Sequence, residues 1–382
     1  MMGTMPRIVM APDSFKGTVA AADVAAALAD GWRSVRPADE IIVAPMADGG
    51  EGTLDAIAVG AASVAGAVRV HVTVPGPAGE PVEAAWLRLP ATNAAPEGVG
   101  VVELAQTSGI GLLEGRPRPW TASTRGFGVA IADALAAGVS RLVLAIGSSA
   151  STDGGVGMLR ALGARFVDAA GDPIGDGAAG LEQLVAVDLG DLAKRPAGGV
   201  RVLTDVTNPL LGPLGAAAVF GPQKGLDAAG VVRADSALER LVGLVRGFDP
   251  ETPGAGAAGG TGWALGVWGA ELVTGAAEVA DLTGLRGAAA SAQFVVTGEG
   301  AFDSQSAAGK VPAYVAGLAP GRAVLVAGRI DPTANTSVFE ASVSLTELAG
   351  SSERALAEPT DWLRAAGAHL ARELGPRLDP CG

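Results

Sequence analysis

Carboxylates, lysines and hydroxyls recur in this chain inside glycine-rich turns that directly follow apolar runs. The segments are RIVMAPDSFKG (7–17), IIVAPMADGGEGT (41–53), LVLAIGSSASTDGGVG (142–157) and VVTGEGAFDSQSAAGK (295–310). Glycine lets backbone N–H groups come close to a bound anion. Several carboxylates around one crevice would repel an anion on its own, and a divalent cation resolves that conflict. The pattern therefore points to a Mg²⁺–nucleotide site. Asp13, Ser14 and Lys16 follow the first apolar run, and Asp48 and Glu51 the second. Glu299, Asp303, Gln305 and Lys310 crowd into the last segment.

The elements that position these residues read as strands whose ends open onto a ligand crevice. Strand 7–11, a helix over Val19–Trp32, strand 40–44 and a helix over Gly52–Val59 alternate, which predicts parallel strands with right-handed crossovers. From about residue 68 the style changes: VRVHVTV and PVEAAWLRL alternate around PGPAG and read as a hairpin. Further strands are expected in GVGVVELA, RLVLAIG and VRVLTDV, with helices over Phe127–Ala137 and 229–247. Residues 168–200 read mainly as loops, with a weak strand near Leu184–Val187. PGAGAAGGTG reads as a flexible loop leading to a helix over Trp263–Leu272, and the opening style returns with QFVVTGEG, AVLVAG, EASVSL and a helix over Glu358–Leu374. The expected fold is α/β with two domains. Residues 1–72 and 290–382 form a discontinuous, Rossmann-like doubly wound domain, and 73–289 an inserted mixed-sheet α/β domain.

Bulk composition excludes several functions. A formal charge of −13, from 27 Lys and Arg against 40 Asp and Glu, opposes binding a polyanion over a broad surface. Aromatic residues are only 4%, too few for a base-stacking platform, so no nucleic-acid partner is expected. The single cysteine, Cys381, excludes a disulfide framework or a zinc cluster within one chain. His71 reads as a strand residue and His369 as a solvated helix residue, which argues against histidine-dependent chemistry. The N-terminus lacks the long apolar core of a signal peptide and no run is suited to span a bilayer, so a cytoplasmic protein without a membrane partner is expected.

The individual motifs divide between chemistry and plain structure. GSSASTDGGVG (147–157) lies between a strand and a helix. Its amides and the hydroxyls of Ser148, Ser149, Ser151 and Thr152 can cradle phosphate oxygens, and Asp153 can hold Mg²⁺; the plain alternative is a tight turn capped by an acid. In TDVTNPLLGPLGAAAVFGPQKG (204–225), Asp205 and Asn208 can form a cation or substrate pair and Lys224 can neutralise phosphate, although Asn-Pro and Gly-Pro turn chemistry explains the same residues. GAGAAGG (254–260) matches a dinucleotide fingerprint by letter, but no clear strand precedes it. Trp263 and Trp268 read as packing residues.

APDSFKGT (11–18), ADGGEGT (47–53), ELAQTSGI (103–110), GSSASTDGGVGMLRALG (147–163), DVTNPLLGPLGAAAVFGPQKG (205–225), GAGAAGG (254–260) and TGEGAFDSQSAAGK (297–310) together resemble the type I glycerate kinases, in order over nearly the whole chain. The resemblance implies ATP- and Mg²⁺-dependent phosphorylation of D-glycerate to 2-phosphoglycerate. It also implies the two-domain α/β architecture. The alternatives are another α/β enzyme, such as a kinase for another small hydroxy acid or a phosphatase, and a metabolite-binding protein without turnover. Two positions depart from the family's usual form: Ala301 stands where an arginine follows GEG, and Thr152 where the serine loop has Asn. Under this reading the 147–157 loop holds ATP phosphates with Asp153 at the metal. Asp205 orients or deprotonates the 2-hydroxyl. Asp48, Glu51, Glu299 and Asp303 contact metal and hydroxyls, and Lys16, Lys224 and Lys310 offset anionic charge. Lys16 and Asp48 join Asp205 as catalytic candidates; Glu299 and Asp303 join Asp153 as metal candidates. The remaining residues contact substrate or nucleotide.

Overall fold

A computed structural model describes residues 5–62, 66–303 and 310–378. Among them the strands are, in chain order, β1 (Arg7–Met10), β2 (Glu40–Val43), β3 (Val68–Pro75), β4 (Pro81–Leu89), β5 (Val99–Glu103), β6 (Arg141–Ala145), β7 (Arg165–Val167), β8 (Ala186–Asp188), β9 (Val200–Leu203), β10 (Glu271–Val273), β11 (Phe294–Phe302), β12 (Ala323–Ile330) and β13 (Ala341–Ser344). The chain divides into two compact units. One comprises Met1–Asp48, Asp55–Ala65 and Ala276–Gly382, the other Gly49–Leu54 and Gly66–Gly275.

The first unit is built on a parallel sheet in the order β13-β12-β11-β1-β2. Its inner strands are continuous apolar runs, as strands covered on both faces require; Ile8, Val9, Met10, Val295, Val296 and Val324–Ala327 are fully buried. From β1 the chain moves one way to β2, and from β11 the other way to β12 and β13. The order therefore reverses between β1 and β11, where ligands bind in open α/β sheets. Helices Ala21–Val35 and Pro359–Leu374 pack closely because glycines meet there. A Cβ on Gly31 would fall 2.0 Å from the Arg364 carbonyl oxygen, and one on Gly367 2.2 Å from that of Leu28.

The second unit holds a mixed sheet, β10-β9-β6-β5-β4-β3, in which β3, β4 and β5 pair antiparallel and the rest parallel. The expected hairpin is β3–β4. The α/β class thus holds, with a parallel and a mixed sheet. Strand β3 lies wholly in this second unit, as does the preceding residue pair from Gly66.

Two local expectations need correction. The helix over Trp263–Leu272 spans Ala257–Val267, and Glu271–Val273 is strand β10 against β9. Gly269 at φ +87° ends the helical run, which frees the next residues to extend. The stretch expected as loops at 168–200 contains β8 two residues further on than foreseen, paired to β7, and a short helix at Gly177–Leu181. Trp263 and Trp268 are core residues, as expected, with their indole N–H groups donating to Phe248 and Ala193 carbonyls. His71 lies on β3 and His369 on the last long helix, 3.5 Å from Glu373. No helix of the described residues is long and apolar enough to cross a membrane.

Candidate active site

The first unit carries a cavity of about 430 Å³ at the reversal of strand order. Six of the residues expected to act line it: Asp13, Ser14, Lys16, Glu299, Asp303 and Lys310. Asp13 follows β1, and its backbone N–H donates to the Gly298 carbonyl of β11 at 2.8 Å, which fixes the turn across the two neighbouring strands. The Ser14 N–H donates to Asp13 Oδ1 at 2.6 Å. Lys16 Nζ donates to Asp48 Oδ2 at 2.9 Å, so the loops after β1 and β2 are joined by charge. Glu299 is buried on β11, and Lys310 occupies the N-cap position of helix Val311–Leu318. Gln305 lies outside the described residues.

Asp13 is the electrostatically unusual group of this cavity. It is only 7% exposed. Burial, then the neighbouring charge of Asp48 and more weakly Glu299, push its carboxyl up to about 7, against the opposing pull of Lys16 and the Ser14 N–H. A carboxyl poised near neutrality in a cavity is suited to accept a proton from a bound hydroxyl.

In the second unit the 147–157 loop follows β6, and Asp153 is its hub. Asp153 is 1% exposed. Its Oδ2 accepts from Thr124 N–H (2.9 Å), Thr124 Oγ1 (2.8 Å) and Gly157 N–H (3.2 Å), and its Oδ1 from Ser151 Oγ (3.1 Å) and Gly155 N–H (3.1 Å). A carboxylate has about four lone-pair directions, and these donors take them up. In this arrangement Asp153 organises the loop. Lys224, 2% exposed, donates to the Ser151 carbonyl. Burial lowers its ammonium to about 8, only partly countered by the charge of Asp153.

The rest of the loop is held from two sides. Ser148 is exposed and left-handed at φ +58°, and its carbonyl accepts from Ile110 N–H at 2.8 Å. Ser149 Oγ lies 3.4 Å from the Ala258 carbonyl. GAGAAGG is no flexible loop: Ala258, Gly259 and Gly260 are all left-handed, and a Cβ on Gly259 would fall 2.1 Å from the Ser151 carbonyl oxygen. Backbone strain of this kind clusters at functional sites. Thr152 Oγ1 is buried and has no hydrogen-bond partner among the described residues. Asp205, after β9, is exposed, and its Oδ1 accepts from Gly275 N–H at 3.0 Å. Asn208 Nδ2 donates to the Leu214 carbonyl at 2.8 Å, a bracing role within its own turn. Glu51 is exposed.

Three residues of consequence escaped sequence reasoning. Thr124 holds Asp153 through two atoms and also accepts from Met158 N–H. Glu103, 1% exposed, accepts from Gly52 N–H at 3.0 Å and Leu54 N–H at 2.8 Å, where helix Thr53–Ala62 begins. Arg329 lines the cavity of the first unit. A lone charge at the end of an apolar run was the available signal for Glu103 and Arg329.

A parallel α/β unit with polar residues gathered at its strand-order reversal, and a glycine–hydroxyl loop after a parallel strand, define an enzyme of the phosphotransferase class acting on an alcohol group when set beside known proteins. Residues 8–375 match the glycerate kinase family, and the chain belongs to that family. It is 41% identical over 321 residues to glycerate 2-kinase of Escherichia coli (strain K12), covering 82% of each chain. It is 40% identical over 333 residues to glycerate kinase of Bacillus subtilis (strain 168), covering 84% of each. A solved structure described as glycerate kinase 2 from Salmonella typhimurium LT2 superposes with a TM-score of 0.81 at 36% identity, covering 98% of this chain and 99% of that one.

Proposed function

We propose that this protein phosphorylates D-glycerate with ATP and Mg²⁺, giving 2-phosphoglycerate. The observation that carries the reading is Asp13, a buried carboxyl raised to about 7 on the wall of a cavity of about 430 Å³. Phosphoryl transfer needs positioning, charge neutralisation and a proton acceptor more than covalent chemistry. Asp13 takes the proton of the acceptor hydroxyl, and Lys16, held by Asp48, sets the charge around it. Lys310 offsets anionic charge from the opposite end of the segment. Asp205 keeps a supporting role, anchoring the turn before helix Gly275–Leu282.

The donor set of the cavity fits a hard divalent cation, because Glu299 and Asp303 offer carboxylate oxygens. Among the described residues no three acidic, histidine or cysteine side chains form a ready cage. Mg²⁺ binds through one or two carboxylates together with water and phosphate oxygens. Bound there, the ion supplies charge neutralisation to the transferred group. The 147–157 loop offers the exposed Ser148, its neighbour Ser149 and loop amides to nucleotide phosphates, and Ser151, Asp153 and Lys224 hold that loop in shape.

Nucleotide release measured with D-glycerate, L-glycerate, glycolate and lactate as acceptors tests the substrate assignment. D-glycerate should give the highest kcat/KM. A clear preference for glycolate or lactate would point to a kinase for a different hydroxy acid, and binding without turnover of any acceptor to a metabolite-binding protein.

A further inference from the structure

Arg329 has no part in the reading above, yet it stands at the cavity. It lies on β12 in register with Ala301 of β11, and both residues line the cavity. Residues aligned on neighbouring parallel strands project from the same face of the sheet. The short side chain at 301 therefore leaves the space beside it to the long one at 329. Residues Ala323–Ala327 of β12 are buried, whereas Arg329 is exposed beyond them, so the guanidinium is not committed to the core. Asp331, the nearest acid in sequence, is held below the ordinary carboxyl range first by hydrogen bonds from the Thr333 Oγ1 and N–H to its Oδ1 and, more weakly, by the charge of Arg329, whose side chain stays exposed at the cavity wall.

The charges lining the cavity make the role specific. Asp13, Glu299 and Asp303 are acidic, Lys16 is bound to Asp48, and Lys310 and Arg329 complete the basic side. A planar guanidinium binds carboxylate and phosphate oxygens in pairs, which an ammonium cannot do. We propose that Arg329 is the oxyanion-binding residue of this cavity. It supplies from β12 the fork that an arginine at position 301 would supply from β11. Its ligand is a carboxylate or phosphate group of the bound small molecule. The inference rests on the reading of this cavity as a glycerate and phosphate site.

Calorimetric titration of wild type, Arg329→Ala, Arg329→Lys and the double variant Ala301→Arg/Arg329→Ala tests it, with D-glycerate, Mg²⁺–ATP and inorganic pyrophosphate as titrants. Arg329→Ala should weaken one or more of them about tenfold or more, the loss expected for a charge-assisted hydrogen bond, without a change in melting temperature. Lysine should recover part of it, and arginine at 301 most of it. A loss confined to D-glycerate identifies the carboxylate as the ligand group; a loss confined to ATP and pyrophosphate identifies phosphate. Affinities for all three within twofold of wild type, or a double variant no better than Arg329→Ala, would overturn the proposal. A wild type that ignores D-glycerate, while Arg329→Ala still loses pyrophosphate, would sink the proposed substrate and keep the arginine.

Discussion

At the scale of residues, Asp13 makes the sharpest commitment. If it accepts the hydroxyl proton, kcat/KM of the wild type rises with pH through an apparent pKa near 7. Asp13→Asn should lower kcat by at least about 10²-fold and abolish that limb. Asp205→Asn should spare most of the activity; the reverse pattern would move the base to Asp205. The same shift fixes a sign for stability. The folded pKa lies above the ordinary carboxyl value of 3.8, so the favourable contribution of the protonated group is complete below about pH 4. It is lost as the pH rises through 7. Asp13→Asn should therefore melt above the wild type at pH 8, and the difference should vanish toward pH 4; an equal difference at both would contradict the burial of the charge. The sequence placed Asp13 in a site because it follows an apolar run beside Ser14 and Lys16. It could not show the raised pKa, which arises first from burial and then from the charges of Asp48, in the loop after β2, and Glu299 on β11. Asp153 was read as a metal ligand for the same local reasons, and the donors that occupy it include Thr124, 29 residues away in sequence.

Elements decide how firmly those residues are held. Asp153→Ala strips an acceptor from buried donors of Thr124, Ser151, Gly155 and Gly157, and should cost at least about 3 kcal/mol of stability in urea unfolding. A cost under about 1 kcal/mol with lost turnover would instead return Asp153 to the metal. At the helix pair of the first unit, Gly31→Ala would drive a Cβ to 2.0 Å from the Arg364 carbonyl oxygen. Overpacking of that kind should cost about 1–3 kcal/mol or more. Gly317→Ala, in helix Val311–Leu318 with open space around it, should be neutral or stabilising by up to about 1 kcal/mol. Equal effects at the two sites would refute the close-approach account. Strand and helix positions were legible wherever apolar runs were bounded by turn formers, as at β1, β11 and the β3–β4 hairpin. The left-handed turn at Ala258–Gly260 was not. Its three consecutive positive φ values bring Gly259 so close to the Ser151 and Thr152 backbone that a Cβ there would clash, a contact between segments a hundred residues apart.

For the whole molecule, one feature carried through: the alternation of apolar runs with glycine turns, which gives the parallel sheet of the first unit. A ligand that binds only the folded protein stabilises it, by about 2.7 kcal/mol at a hundredfold excess over Kd. D-glycerate and Mg²⁺–ATP should each raise the melting temperature, and L-lactate should raise it less than D-glycerate; identical shifts from all small acids would deny a specific site. The most direct test is phosphorylation of D-glycerate with ATP and Mg²⁺, the product identified by ³¹P and ¹³C NMR. The account predicts 2-phosphoglycerate, formed only when the metal is present. Formation of 3-phosphoglycerate would contradict the placement of the 2-hydroxyl against Asp13, and absence of any phosphorylated product, with ATP still bound, would contradict the proposed reaction itself.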